Sequence, residues 1–287
     1  MSIYFWNCQG RLGNQIFQYT AIQANTTKND IVVCIKNEVF SLLLTDERFF
    51  SINIPGRLGG YMSRSINRFF DFLVKAKIIS ELHPVEYLFQ EKYYCESKKI
   101  ERSIGLIDGI CQIKGFFQYQ NNIKIQLNHK LLERSRKKLN SISSAKCRVA
   151  VHIRSTDYKD WVVYGKKDVT LGKAWYERAM HHLKLLRPDA EFILFSDEKH
   201  NADKLKSAFP VNLYDGDCAL DDFAAISLCD HVICSPSTFS YWAAMATYHK
   251  EKIVIGPKYW AGFKSKIWFP QTIENNLIHY IEVGSDD

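Results

Sequence analysis

Between residues 148 and 256, short β-branched or aromatic runs alternate with stretches of helical periodicity, and this alternation constrains the chain more than any other feature. The strand-like runs are RVAVHI, EFILF, VNLY, HVICS and KIVIG. A helix beginning near Leu171 places Trp175, Ala179, Leu183 and Leu186 on one face at steps of four, four and three. Pro188 ends it, because the residue before a proline is pushed out of helical geometry. The connections near 199–208 and 219–229 are long enough for crossover helices. Strand and helix in strict turn demand a parallel sheet covered on both faces, a Rossmann-like half.

The first half repeats this pattern less cleanly. IYFW reads as a strand, CQGRLG as a glycine-containing turn, Asn14 to about Lys28 as a helix, IVVCI as a second strand and CQIKGFF as another buried one. The polar stretch SRKKLNSISSAK at 135–146 reads as a linker. The expected organisation is therefore two α/β domains, over 1–140 and 147–287, facing a cleft. A chain of 287 residues with 46% hydrophobic content has the material for both cores. Open parallel sheets bind ligands beyond the carboxyl ends of their strands, so such a cleft suits a nucleotide.

The formal charge of +7 fits an anionic ligand or membrane surface and equally fits a merely soluble protein. Eight cysteines without a CxxC pair, several inside apolar runs, point to a reducing compartment with neither disulfide frame nor zinc site. MSIYFWNCQGRLG lacks the pattern of a signal peptide, and no run reaches the length of a membrane span. A cytoplasmic protein, at most peripheral on the membrane's inner face, is expected. The segment 61–79 is amphipathic at helical spacing, with Met62, Ile66, Phe69 and Leu73 on one side and Arg64, Arg68, Lys75 and Lys77 elsewhere. Such a helix either lies on an anionic bilayer or packs on its own core.

Several residues can carry chemistry. HIRSTDY ends the first strand of the second half, placing His152 and Arg154 on one face with Arg154 at the carboxyl end. A guanidinium there can grip a phosphate through two charge-assisted hydrogen bonds and neutralise charge on a departing diphosphate. Asp157 can fix that arginine or accept a proton; a plain salt bridge is the bland alternative. In SPSTFSYW, Ser235, Ser237 and Thr238 stand at a helix start, where unpaired amides attract anions, although simple capping gives the same pattern. Ser196 and Asp197 of FSDE border the same cleft, and Asp221 and Asp222 open the next helix. These carboxylates either accept hydrogen bonds from a ribose or a guanine edge, or cap helices. CQGRLGNQ presents Arg11, Asn14 and Gln15 at a glycine turn but lacks the third glycine of a dinucleotide fingerprint. DGD at 215–217 reads as a loop rather than a cation site, and His181–His182 without HExxH gives no zinc hydrolase.

GRLGNQIFQYTA, GFFQ, HIRSTDY, FSDE, SLCDHVICSPSTFSYWAA and IVIGPKYW occur in the order and approximate spacing of bacterial α-1,2-fucosyltransferases of glycosyltransferase family 11, which the chain resembles over nearly its whole length. The resemblance implies a GT-B fold and an inverting, metal-free transfer from GDP-fucose. It implies no cofactor, with Arg154 on the donor diphosphate, His152 and Asp157 in the other motif positions, and Ser237, Thr238 and Phe239 by the phosphates. It also brings in Asn14 and Gln15 of LGNQ, and Phe117 and Gln118 of the GYFQ-like piece. The family usually has a second arginine after the first; here it is Ser155.

The expected activity is transfer of L-fucose to a galactose hydroxyl in a surface polysaccharide or oligosaccharide precursor, with a lipid-linked, galactose-terminated acceptor. A related transferase with another nucleotide-sugar donor, suggested by Ser155, is the first alternative. A non-catalytic anion binder is the second. Nucleic acid is not an expected partner, since no lysine-arginine stripe interleaved with aromatics occurs.

Overall fold

The computed structural model describes residues 1–35, 37–52, 56–119, 123–198 and 209–284. The chain divides into two units, Met1–Gln126 and Leu127–Asp287.

The first unit carries β1 (Ile3–Trp6), α1 (Leu12–Asn25), β2 (Ile31–Ile35), α2 (Val39–Leu42), β3 (Phe49–Ile52), α3 (Gly56–Lys75), β4 (Ser80–Phe89), β5 (Tyr93–Arg102) and β6 (Ile110–Ile113). Its sheet runs β3-β2-β1-β6-β4-β5, parallel except for β5, which is antiparallel to β4. Helix α1 starts two residues earlier than the sequence suggests and ends three earlier. Asn25 and Thr26 turn their side chains back onto the carbonyls of Ala21 and Ile22 and close the last turn.

The β4–β5 hairpin has no counterpart in the sequence reading. Its strands are half polar, and its turn places Gln90 and Glu91 at positive φ without the usual glycine or asparagine signal. Pro84 is tolerated inside β4 because the pairing slips beside it.

The second unit holds α4 (His129–Ile142), β7 (Arg148–Ile153), a short β8–β9 ribbon (Val162–Val163 and Lys166–Lys167), α5 (Lys173–Leu186), β10 (Glu191–Ser196), β11 (Val211–Leu213), α6 (Ala219–Leu228), β12 (His231–Ile233), α7 (Thr238–Met245), β13 (Val254–Pro257) and β14 (His279–Ile281). Its sheet, β11-β10-β7-β12-β13-β14, is parallel throughout. All five runs read as strands between 148 and 256 form β7, β10, β11, β12 and β13.

Two expectations are corrected. The stretch 135–146 is not a linker: it is helical through Ile142, capped by Asn128, and Ser135 buries its hydroxyl against the Asp221 carbonyl of α6. Polarity there marks the outer face of α4, since Leu131, Ser135 and Leu139 form a buried stripe at steps of four. On α5, Trp175, Ala179 and Leu183 are buried as expected, but Leu186, the helix's last residue, is 48% exposed. The connection expected as a helix at 199–208 lies outside the described residues.

Candidate active site

Every site candidate of the second unit stands at or just beyond the carboxyl end of a strand. β7 delivers Arg154, β10 delivers Ser196 and Asp197, β12 leads through Ser235 to α7, and β11 leads into the loop before α6. β7 lies between β10 and β12, where the strand order reverses, and open parallel sheets take their ligands at such switch points.

Arg154 is clamped between carboxylates. Its Nε and Nη2 lie 2.9 and 2.7 Å from Asp157 Oδ1, and its Nη1 lies 3.2 Å from Asp197 Oδ2. The side chain is 16% exposed, and its guanidinium carbon sits 5.6 Å from the centroid of the Tyr158 ring. Three N–H groups thus face carboxylates, and among the described residues the other two of the five a guanidinium carries meet no carboxylate. Tyr158 in turn donates from its hydroxyl to the Pro236 carbonyl at 3.1 Å, tying the loop after β7 to the turn before α7. Burial pushes its hydroxyl up to about 12, so it stays a donor.

Asp197 organises the loop beneath. It accepts from the backbone N–H groups of Ser155 and Thr156 at 3.1 and 3.3 Å, and from their hydroxyls at 3.1 and 2.7 Å. Burial works against its charge, but the Thr156 hydroxyl, the Arg154 guanidinium and the two amides outweigh it and hold the carboxyl below its ordinary value. Ser155 is buried, and its hydroxyl shares its proton between Asp197 Oδ1 and Glu198 Oε2, each 3.1 Å away. Ser196 serves the same turn, its hydroxyl bridging the carbonyl and amide of Glu198.

His152 is buried and neutral. Its Nδ1 shares a 2.8 Å hydrogen bond with Ser235 Oγ, and its ring lies 5.5 Å from that of Phe239, which meets Phe223 edge-on at 5.3 Å. Burial first, then Arg154, pushes its pKa down to about 3. The imidazole therefore positions the β12–α7 turn. Ser235 points inward to it, not to the start of α7. Ser237 caps α7 by accepting from the Phe239 amide at 3.3 Å, and Thr238 and Phe239 form the first turn.

Asp221 and Asp222 part company at the start of α6. Asp221 is buried and paired with Arg134 of α4. Asp222 keeps its Oδ1 buried without a hydrogen-bond partner among the described residues, and burial, then the charge of Asp221, pushes its pKa up to about 6. Gly216 lies so close that an added Cβ would meet this oxygen at 2.0 Å. Residues 215–217 form a loop, as read.

In the first unit, Gln118 Nε2 donates to Asn14 Oδ1 at 2.7 Å, joining two motif pieces 104 residues apart. Gln15 is buried, donating to the Gly10 carbonyl and accepting from the Glu38 amide, so its amide serves the turn. Phe117 is buried at φ 54°, its amide held with that of Phe116 by Glu96 at 2.7 Å each.

Glycosyl transferase family 11 matches residues 3–268. The chain belongs to this family. Two Escherichia coli proteins are similar along nearly their full lengths: the O-antigen biosynthesis glycosyltransferase WbnK, 24% identical over 90% of this chain and 94% of that one, and an alpha-1,2-colitosyltransferase, 26% identical over 91% and 93%. Among solved structures, POFUT1 in complex with GDP superposes with a TM-score of 0.54 at 14% identity, covering 88% of this chain and 97% of that one. The Escherichia coli ADP-heptose heptosyltransferase II reaches 0.56 at 11% identity, covering 99% and 91%. The fold is the two-unit GT-B class, and this family 11 member is a glycosyltransferase.

Some site residues escaped the sequence reading. Thr156 and Tyr158 lie within HIRSTDY, yet their work is to build the loop that aims Arg154. A hydroxyl-rich stretch directly after a strand-end arginine is the signal that could have found them. Glu96 is silent in sequence, because a lone glutamate in a polar strand does not announce that it will gather two distant amides.

Proposed function

We propose that this family 11 enzyme is an inverting, metal-independent α-1,2-fucosyltransferase acting from GDP-fucose on a galactose-terminated glycan, a lipid-linked precursor of a surface polysaccharide. One observation carries the reading: a guanidinium at the switch point, clamped by two carboxylates, with N–H groups left for a diphosphate.

In the reaction an acceptor hydroxyl oxygen forms a bond to the fucose anomeric carbon as the bond from that carbon to the diphosphate breaks. GDP leaves with the electron pair, and the hydroxyl proton passes to solvent water. The transition state is oxocarbenium-like, and charge gathers on the leaving diphosphate. Arg154 meets that charge, joined by the first-turn amide of α7 at Thr238. Asp157, with one carboxylate oxygen against the guanidinium, is assigned to aiming Arg154. Asp222 is assigned to the guanine edge, where a carboxylate can accept from ring and exocyclic N–H groups. The O-antigen role of the WbnK relative supports the polysaccharide acceptor.

Purified enzyme offered a panel of GDP and UDP sugars with a galactose-terminated acceptor tests this. GDP-fucose should turn over, with activity intact in EDTA and the linkage read by NMR. Preference for a UDP sugar, or inhibition by EDTA relieved with manganese, would overturn it.

A second reading keeps the reaction and changes the sugar. Ser155 in place of an arginine and a relative named as a colitosyltransferase support a GDP sugar other than GDP-fucose. The same panel separates the two.

A further inference from the structure

Helix α3 turns a wet, aromatic face to solvent. Tyr61, Met62, Phe69 and Phe72 are 63, 38, 57 and 62% exposed. At about 100° per residue they fall within an arc of roughly 100° on the helix. Arg64, Arg68 and Lys75, all exposed, occupy an adjoining arc of roughly 40°. The opposite face is fixed to the sheet. Phe70 stacks on Phe5 of β1 with centroids 3.9 Å apart, and Asp71 accepts from Gln112 of β6 at 3.0 Å and from Lys114 at 2.9 Å. The helix therefore cannot roll to hide its aromatics, because that would strip Asp71 of both partners. Arg64 lies over the Tyr61 ring at 4.8 Å, leaving cation and aromatic side by side at the surface.

We propose that α3 lies flat on an anionic lipid surface, its phenyl and phenol rings entering the headgroup boundary while Arg64, Arg68 and Lys75 meet lipid phosphates. The arrangement is that of an interfacial helix, an apolar arc flanked by cations whose aliphatic stems reach sideways to the headgroups. No described helix is long and apolar enough to cross a membrane, so the contact is one of lying on, not spanning. Charge also argues against a second copy of this chain as the occupant. In a self-complementary, antiparallel pairing of two α3 helices the same flank meets itself, and three cations would face three cations. The proposal does not depend on which sugar the enzyme transfers.

Cosedimentation with vesicles tests it. The full chain should pellet with phosphatidylcholine–phosphatidylglycerol vesicles, not with phosphatidylcholine alone, and high salt should release it. Phe69→Ser with Phe72→Ser, both at exposed positions, should abolish pelleting while leaving the thermal melt in place. Arg64→Gln with Arg68→Gln and Lys75→Gln should weaken it by roughly 100-fold, at about fivefold per cation. Failure to pellet with anionic vesicles, or undiminished pelleting of either variant, would overturn the proposal. So would concentration-dependent self-association in the ultracentrifuge that the serine pair removes, which would assign the face to a second copy.

Discussion

Arg154 Nη1 lies 3.2 Å from Asp197 Oδ2, so the ends of neighbouring strands β7 and β10 are joined by an ion pair at the point where the sheet reverses its order. Asp197 also gathers the amides and hydroxyls of Ser155 and Thr156. One carboxylate thus sets both the course of the loop and the aim of the guanidinium it carries. An arginine left to itself would lose much side-chain freedom on meeting a diphosphate, whereas here that loss is taken during folding.

Replacing Asp197 with Asn should therefore cost more in the donor than in the acceptor. The amide keeps the shape but presents an N–H where two donors now converge. We expect kcat/KM for the donor to fall roughly 100-fold, the size of effect seen when a positioned electrostatic group is disturbed. The acceptor KM should be nearly unchanged. Steady-state kinetics with each substrate varied in turn checks the split.

Arg154→Lys should lose most activity, because an ammonium is a point charge and cannot face Asp157, Asp197 and a diphosphate together. GDP titration by calorimetry should show the loss in binding as well as turnover. Near-normal affinity would mean that the diphosphate is held elsewhere. Asp157→Asn separates aiming from proton transfer: an aiming role predicts a higher donor KM with the pH profile kept, whereas loss of a general base would cost about 10²–10⁴ in rate and flatten the acidic limb.

The second unit was legible because its central strands β7, β10, β12 and β13 are buried on both faces and so are written in apolar runs such as FILF. Arg154, Asp197 and the SPST turn could be placed at strand ends for the same reason. The hairpin of β4 and β5 could not be read, since exposed strands carry Glu96, Lys98 and Lys99 where a core strand carries valine. Roles were harder than places. Nothing in the order of residues shows that Asp221 is spent on Arg134 while its neighbour Asp222 keeps a bare oxygen, or that Gln15 is consumed by its own turn. Those outcomes depend on partners 87 and 23 residues away.

Asp222 makes nucleotide affinity depend on pH. With its pKa near 6 in the free enzyme, the carboxyl is mostly protonated at pH 5 and mostly ionised at pH 7, and the ionised form is the better acceptor for a guanine edge. The GDP dissociation constant should therefore fall about tenfold from pH 5 to pH 7. Asp222→Asn should bind more weakly at pH 7 and show little of this slope. Calorimetric titrations of both proteins across the range would check it, and an equal slope in the variant would remove Asp222 from the guanine site.

His152 makes folding itself sensitive to acid, with a sign that can be worked out. Its folded pKa, about 3, lies below the unfolded value of 6.5, so between those limits the unfolded chain binds a proton that the folded chain refuses. Stability is complete above pH 6.5 and is lost as pH falls through the window, by roughly 3 kcal/mol at pH 4 at about 1.4 kcal/mol per pH unit. Asp222, whose pKa is raised, works in the opposite direction between 3.8 and about 6, so the wild-type curve alone would blur the effect. The difference between wild type and His152→Gln removes that common contribution. Glutamine can still reach Ser235 but cannot titrate, so the variant should start less stable at pH 7.5 and lose its disadvantage as pH drops. Urea unfolding at several pH values should show the two midpoints converging toward pH 4, and parallel curves would mean that the buried imidazole is not the acid-sensitive group.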